Sequence, residues 1–330
     1  MTMFADAVDR TLEMTIVPSF TRIGYAVRSR LDHWTPVGQY DLTGRVVVIT
    51  GATSGLGLAA TQALVADGAT VEIIARDATK AAAVCEQLRH GTTSAEVGYV
   101  VADTGDLDAV RKAFDDLSRR HGEIHALIHN AGALDKQYGQ SPQGIEHTVA
   151  SQVLGPFLLT GLLLPQLRAT PRSRVLWVSS GGMYSQPLSV AGLQMGPDDY
   201  DGTVAYARAK RAQVTLAQMW AEYLRPDHIA VHAMHPGWAD TPGVRRSLPT
   251  FRRVSGPLLR SPDQGADTLV WLAADDRTPI ETTGSFWLDR RPRATHRASA
   301  TRRSDTVDER RCLWDWCVAR CGIRSEIEAS

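Results

Sequence analysis

The chain has 330 residues, 43% of them hydrophobic, and its 36 lysines and arginines balance 36 acidic residues. That length holds one large α/β domain or two small ones, and the balanced charge excludes nucleic acid as a partner drawn by bulk attraction. Four cysteines (Cys85, Cys312, Cys317 and Cys321) make no disulfide framework in so long a chain, and they point to a reducing, cytoplasmic setting.

Residues 1–40 form an N-terminal extension. Phe20, Ile23, Val27, Leu31 and Trp34 recur at three- and four-residue spacing beside Arg22, Arg28 and Arg30, the pattern of a basic amphipathic helix. Such a helix packs its apolar stripe on its own domain or lies on a membrane surface. Asp6, Asp9 and Glu13 interrupt the start and no apolar run follows, so no secretory signal is expected.

Residues 41–290 alternate short β-rich runs with helical patterns. Strands are predicted over 46–50, 71–75, 97–101, 126–129, 175–179, 230–235 and 285–288, with helices starting near Gly57, Thr79, Asp106, Ile145, Thr203 and Ser261. This alternation predicts a doubly wound α/β domain with a central parallel sheet of about seven strands and helices on both faces. A ligand then sits outside the carboxyl ends of the strands. The longest uncharged stretch, 147–167, carries Ser151, Gln152, Gly155, Pro156 and Thr160 and reads as a buried helix rather than a membrane span.

The first strand runs into Thr50-Gly51-Ala52-Thr53-Ser54-Gly55-Leu56-Gly57. Glycines let backbone approach a ligand, and the N-terminus of the next helix offers free N–H groups, so this turn suits the pyrophosphate of a dinucleotide. No Gly-Lys-Ser/Thr follows, which excludes a P-loop. The second strand ends at Ala75, where an acid that would hold a ribose 2′-hydroxyl is absent, and Arg76 follows at once. A guanidinium grips a 2′-phosphate, which argues for NADP(H). After the third strand come Asp103 and Thr104; Asp103 either accepts from an adenine amino group or caps a helix. Asn130-Ala131-Gly132 follows the fourth strand with small residues that admit a nicotinamide ribose or simply make a turn. Tyr206 and Lys210 lie one helical turn apart, so the ammonium is placed to favour the phenolate. Ser180 precedes them at a strand end, placed to bond the same substrate oxygen. Pro236-Gly237 and Thr241 follow the sixth strand, with the Thr241 hydroxyl a candidate for the nicotinamide carboxamide.

Together these motifs resemble the short-chain dehydrogenase/reductases over residues 41–290, with a closer likeness to the dehydrogenase/reductase SDR family member 12 group. The latter likeness rests on Val178-Ser-Ser-Gly-Gly-Met183, Asp201-Gly-Thr-Val-Ala-Tyr206, the stretch Met234–Val244, Gln264-Gly-Ala-Asp-Thr268 and Val270-Trp-Leu-Ala273. The resemblance implies a Rossmann fold and an oxidoreductase that moves a hydride between nicotinamide and a carbonyl or alcohol. It implies Tyr206 as general acid/base, Lys210 as its tuner and ribose ligand, and Ser180 as the group that orients the carbonyl. Aligned through Leu154–Phe157, Gln152 takes the place of the family's relay asparagine, whose main-chain carbonyl holds a water. His129 replaces the first asparagine of Asn-Asn-Ala-Gly. The rival expectation is a catalytically weak, nucleotide-responsive binding or scaffold protein on the same fold. Pairing into dimers or tetramers through the helices that carry Gln152 and Tyr206 is also implied.

The segment 241–260 should cover the substrate. Val244, Leu248, Phe251, Val254, Leu258 and Leu259 alternate with Arg245, Arg246, Arg252, Arg253 and Arg260, and no acid lies among them. A lipophilic carbonyl or alcohol, one with an anionic head or presented at a membrane surface, is the expected substrate, unless the segment is simply a solvated lid. Residues 291–330 read as an Arg-rich linker and a short helix. Cys312, Cys317 and Cys321 lack the fourth ligand of a zinc site, so no metal is expected.

Overall fold

The predominantly apolar runs become strands because a strand covered on both faces must bury most of its side chains, the few polar ones among them (Glu72, Arg174, His232) being buried against partners. They are β1 (Val46–Thr50), β2 (Thr70–Ala75), β3 (Val97–Val101), β4 (Ala126–His129), β5 (Arg174–Val178), β6 (Ala230–Met234) and β7 (Phe286–Leu288). A computed structural model describes residues 3–89 and 96–323. In it these strands and an eighth, β8 (Arg291–Arg293), form one sheet in the order β3-β2-β1-β4-β5-β6-β7-β8, parallel from β1 to β7. Strand order reverses between β1 and β4, which opens a crevice at their carboxyl ends. On one face the sheet is covered by helices Gly55–Ala66, Ala78–Arg89 and Pro262–Ala274. The other face is covered by Leu107–Arg120, residues 147–162 and Gly202–Tyr223.

Both appended segments depart from expectation. What the sequence presents as a linker begins with β8, antiparallel to β7. Arg-Pro-Arg lacks every residue type that marks a strand. It is held instead by ion pairs from Arg291 to Asp32 (2.6 Å) and from Arg293 to Asp9 (2.7 Å). The β7–β8 turn is Asp289-Arg290, with φ of +55° and +54°. Two positive φ values are what a two-residue hairpin requires, here without the usual glycine. The helix Val307–Cys321 then packs Leu313, Cys317, Val318 and Cys321 into the main core.

The helix read from the Phe20–Trp34 stripe is Arg22–Leu31, and two further helices, Met3–Glu13 and Ile16–Phe20, precede it. Arg28, read as part of a polar face, is fully buried and bonds Asp9 (2.6 Å) and Asp289 (2.7 Å). Arg260, read as a lid cation, is equally buried and bonds Asp289 at 2.6 Å. Charge compensation explains both positions: burying a guanidinium is tolerable only against a carboxylate and satisfied carbonyls. No helix among the described residues is long and apolar enough to cross a membrane.

Candidate active site

The glycine turn is built by sterics. Gly51 and Gly55 have φ of +69° and +57°, and a Cβ on Gly51 would lie 2.8 Å from Ala131 Cα. A Cβ on Gly57 would meet Asn130 Nδ2 at 2.4 Å. The Asn130 side chain fastens the turn, its amide donating to Thr50 O and Gly51 O, both at 3.0 Å. Thr50 Oγ1 accepts from the Asn130 and Ala131 N–H groups, which fastens β4 to β1 at the crevice. The helix beginning at Gly55 has Ser54 at its cap position with no side-chain cap bond, leaving its first N–H groups for a ligand. Thr53 lies in the same loop, and Leu56 packs against Gly265.

Arg76 follows β2 directly and is exposed, with no side-chain partner among the described residues. The neighbouring carboxylate, Asp77, is turned onto Lys80, accepting from its N–H (3.0 Å) and pairing with its ammonium (2.9 Å). Asp103 is engaged in a turn, accepting from Gly105 N at 2.8 Å, while Asp106 caps the helix that follows. The Thr104 carbonyl presses on Gly155, where a Cβ would come within 1.9 Å.

Lys210 and Gln152 meet beside Gly132, and Tyr206 and Ser180 adjoin Lys210. Ser180 Oγ accepts from Gly182 N at 3.2 Å and bonds the Tyr206 phenol. Lys210 Nζ donates to Val178 O (2.9 Å) and Gln213 Oε1 (3.0 Å) and lies 5.3 Å from the Tyr206 ring centroid. Burial raises the phenol above its ordinary value, opposed by the Ser180 bond, and pulls the Lys210 ammonium down to about 7. The sequence-based expectation of a phenol lowered by Lys210 is therefore not met. The ammonium stands against the ring and spends its donors on neutral carbonyls instead of on the hydroxyl.

Gln152 lies in a π-helical turn, Ala150–Leu154, and its Nε2 donates to Ala133 O at 2.7 Å. Its Oε1 is buried with no hydrogen-bond partner. A Cβ on Gly132 would lie 3.0 Å from both Gln152 Oε1 and Lys210 Nζ. The open glycine, the orphaned acceptor and the lysine make a cradle suited to a ribose diol, which donates to one and accepts from the other. His129 takes no part: it is buried, bonds Thr160 Oγ1 at 2.8 Å, and burial drives it down to about 3.

The lid closes over the crevice from the β6 side. Thr241 caps the short helix Pro242–Ser247, accepting from Val244 N at 3.3 Å, and its Cβ faces Gly55. Thr241 thus stands at the glycine turn with its hydroxyl hydrogen still free to donate. Ser247 Oγ donates to Leu134 O at 2.8 Å, bridging the lid to the loop after β4. Asp240, just outside the segment read as acid-free, pairs with both Arg245 (2.9 Å) and Arg252 (2.8 Å). Arg246 and Arg253 are exposed.

The sequence placed Phe20 only in an apolar stripe, yet it stands against the loop that follows Ser180 and the turn after β6. Its ring contacts His235 (4.5 Å) and Trp238 (5.9 Å), and a Cβ on Gly181 would reach it at 2.7 Å. Its carbonyl accepts from Trp238 N at 2.7 Å. Gly237, with φ of +71°, lies against the Arg260 guanidinium, which donates to Pro236 O at 3.2 Å. No local pattern links residue 20 to residue 238; only the finished fold does.

Residues 45–250 match the sequence family described as short chain dehydrogenase. The chain is 35% identical to human dehydrogenase/reductase SDR family member 12, over 89% of this chain and 92% of that one. It is 30% identical to human retinol dehydrogenase 11, covering 88% and 89% respectively. A crystal structure of a protein from Mycobacterium paratuberculosis superposes with a TM-score of 0.69 at 27% identity, covering 88% of this chain and 97% of that one. The fold implies a nicotinamide dinucleotide, and the glycine turn and the Gly132 cradle fit one. The chain belongs to the short-chain dehydrogenase/reductase family of oxidoreductases.

Proposed function

We propose that the chain is an NADP(H)-dependent oxidoreductase acting on a lipophilic carbonyl or alcohol, with Tyr206 as the general acid/base. The observation that carries this reading is the grouping of Ser180, Tyr206 and Lys210, with Lys210 Nζ beside Gly132. Arg76, exposed and without a side-chain partner among the described residues, supports NADP(H) over NAD(H). When bound, the reduced nicotinamide supplies the hydride. Ser180 and Tyr206 both hydrogen-bond the substrate oxygen, and Tyr206 gives up its phenolic proton to that oxygen as the carbon is reduced. A phenol raised by burial holds its proton at neutral pH, the state that the acid role in carbonyl reduction requires.

A lipophilic substrate is supported by the surface around the entrance. Met3, Phe4, Met14, Ile16, Val17 and Ile23 are exposed on the N-terminal helices, and Leu248 and Val254 on the lid. The two groups are joined through Phe20, Trp238 and Phe251. With Arg246 and Arg253 beside it, this face suits contact with an anionic bilayer, from which an apolar substrate would pass to the site. Retinol, in the name of one relative, has that character.

The deciding experiment screens retinoid, sterol, fatty-aldehyde and quinone carbonyls with NADPH. Tyr206→Phe should cut turnover roughly 100-fold or more while leaving NADPH affinity within about twofold. Undiminished turnover in that variant refutes the assignment of Tyr206. No turnover by the unaltered protein on any carbonyl would favour the binding-protein alternative.

A further inference from the structure

One buried side chain at the site has no assigned role. Gln213 lies three residues after Lys210 on the helix Gly202–Tyr223, so the two side chains share a face. It is fully buried, and both ends of its amide are used. Oε1 accepts from Lys210 Nζ at 3.0 Å, and Nε2 donates to the Gln152 main-chain carbonyl at 2.7 Å. The amide has only one sensible orientation, because the ammonium can only donate and the carbonyl can only accept. Pro156, four residues after Gln152, has no N–H for that carbonyl, and the Gln213 amide supplies a donor there.

We propose that Gln213 is a positioning residue for the reaction, fixing Lys210 Nζ and tying it to the π-helical turn at Gln152. Two of the three ammonium N–H groups are then committed, to Val178 O and to Gln213 Oε1. The third is left uncommitted, and Nζ lies 3.0 Å from where a Cβ on Gly132 would stand, where Gln152 Oε1 is also without a partner. Gln152 in turn is held at both ends, by Ala133 through its side chain and by Gln213 through its carbonyl. Gln213 thus sets the orientation of both groups that frame the diol cradle. A direct amide bridge links the lysine to the residue 152 carbonyl without a water between them. This assignment rests on the proposed roles of Tyr206 and Lys210.

The test uses the scarcity of lysine: the chain has four, Lys80, Lys112, Lys136 and Lys210. Lysine labelled with 13C at the ε carbon gives four resonances in the full chain without cofactor, and Lys210→Met identifies the one from the site. Gln213→Met, an unbranched near-isostere, removes both hydrogen bonds. Losing an acceptor destabilises the charged form, so the Lys210 midpoint should fall by about one pH unit or more. Gln213→Glu keeps an acceptor and adds a negative charge, and should hold the midpoint at or above the original. In turnover, Gln213→Met should lower kcat about 10-fold or more with KM for the carbonyl substrate within about twofold, and Gln213→Glu should recover part of it. A Lys210 midpoint unchanged in Gln213→Met overturns the proposal, as does a shifted midpoint with unaltered kcat. Tyr206→Phe is assayed alongside: undiminished turnover there refutes the reading of the site, whereas the lysine titration still reports whether Gln213 holds Lys210.

Discussion

Asp289→Asn removes a negative charge from between two buried guanidinium groups. Asp289 accepts from Arg28 Nη1 at 2.7 Å and from Arg260 at 2.6 and 2.8 Å, and all three side chains are at most 1% exposed. Burial alone would raise its carboxyl, but the Arg260 and Arg28 charges win and hold it below the usual range. After the substitution Arg28 keeps Asp9 and Glu13, whereas Arg260 keeps only the carbonyls of Ser19, Thr21 and Pro236. One buried cation is therefore left uncompensated, a loss of about 3–5 kcal/mol. Asparagine tolerates the positive φ of this turn, so the backbone adds little to the cost. With an unfolding entropy of about 2.1 cal/mol/K per residue, Tm should fall by about 4–7 °C. Thermal melts at pH 7 read this directly, and the drop should be nearly insensitive to salt because the pair is dry. Adding Arg260→Met removes the stranded cation and should recover part of the loss, a coupling of about 1 kcal/mol or more. A Tm change under about 1 °C, or strict additivity in the double variant, would refute the reasoning.

Acid should loosen the same cluster. Burial pushes the Asp9 carboxyl up, but Arg293 and Arg28 outweigh it and bring it down to about 2. A depressed folded value means a contribution fully present above about pH 4 and lost as pH falls through 2, worth about 2 kcal/mol. Asp9→Asn should flatten the stability profile across that window, and an unchanged acid limb would count against the ion-pair account. Arg76→Glu should weaken NADPH binding roughly 10- to 100-fold and spare NADH, as read by cofactor-induced Tm shifts. Equal losses for both cofactors would remove Arg76 from the 2′-phosphate site. Arg246→Ala with Arg253→Ala should reduce binding to phosphatidylserine vesicles by roughly 30-fold at about 1 kcal/mol per charge, with neutral vesicles unaffected. Sedimentation with vesicles reads this, and unchanged binding would remove the bilayer from the substrate route.

Elements built from local signals were legible in the sequence. The seven strands read from the sequence lie where period and composition put them, each displaced by at most a residue, because a short, mostly apolar run between helices is best buried in a covered sheet. The glycine turn was equally readable, since its φ values demand glycine whatever surrounds it. Three features were not. Arg291-Pro-Arg293 becomes a strand only because acids near the N-terminus stand opposite it, some 260 residues away in the chain. Arg28 and Arg260 read as surface charge until Asp289 is brought between them. The Lys210 donors could not be counted before Val178 and Gln213 were known to face it, so the sign of the Tyr206 shift was out of reach.

The Val307–Cys321 helix bears on how the chain assembles. Through the family resemblance, the helices that carry Gln152 and Tyr206 are the expected pairing surface. Here that surface is already covered. Trp314 packs 4.8 Å from Trp220, 5.1 Å from Phe157 and 5.8 Å from Tyr223, all on those two helices. Leu313, Cys317, Val318 and Cys321 are buried beneath it. At about 1.5–3 kcal/mol for each large apolar side chain removed from water, lifting the helix off would cost several kcal/mol before a second chain made any contact. The expected species in solution is a single chain of 36.0 kDa, measured by light scattering. Truncation before Val307 should bare Phe157, Trp220 and Tyr223 and drive association. An intact chain that scatters as a dimer, with its contact mapped to these two helices, would refute the argument, because helix and partner cannot occupy the same face.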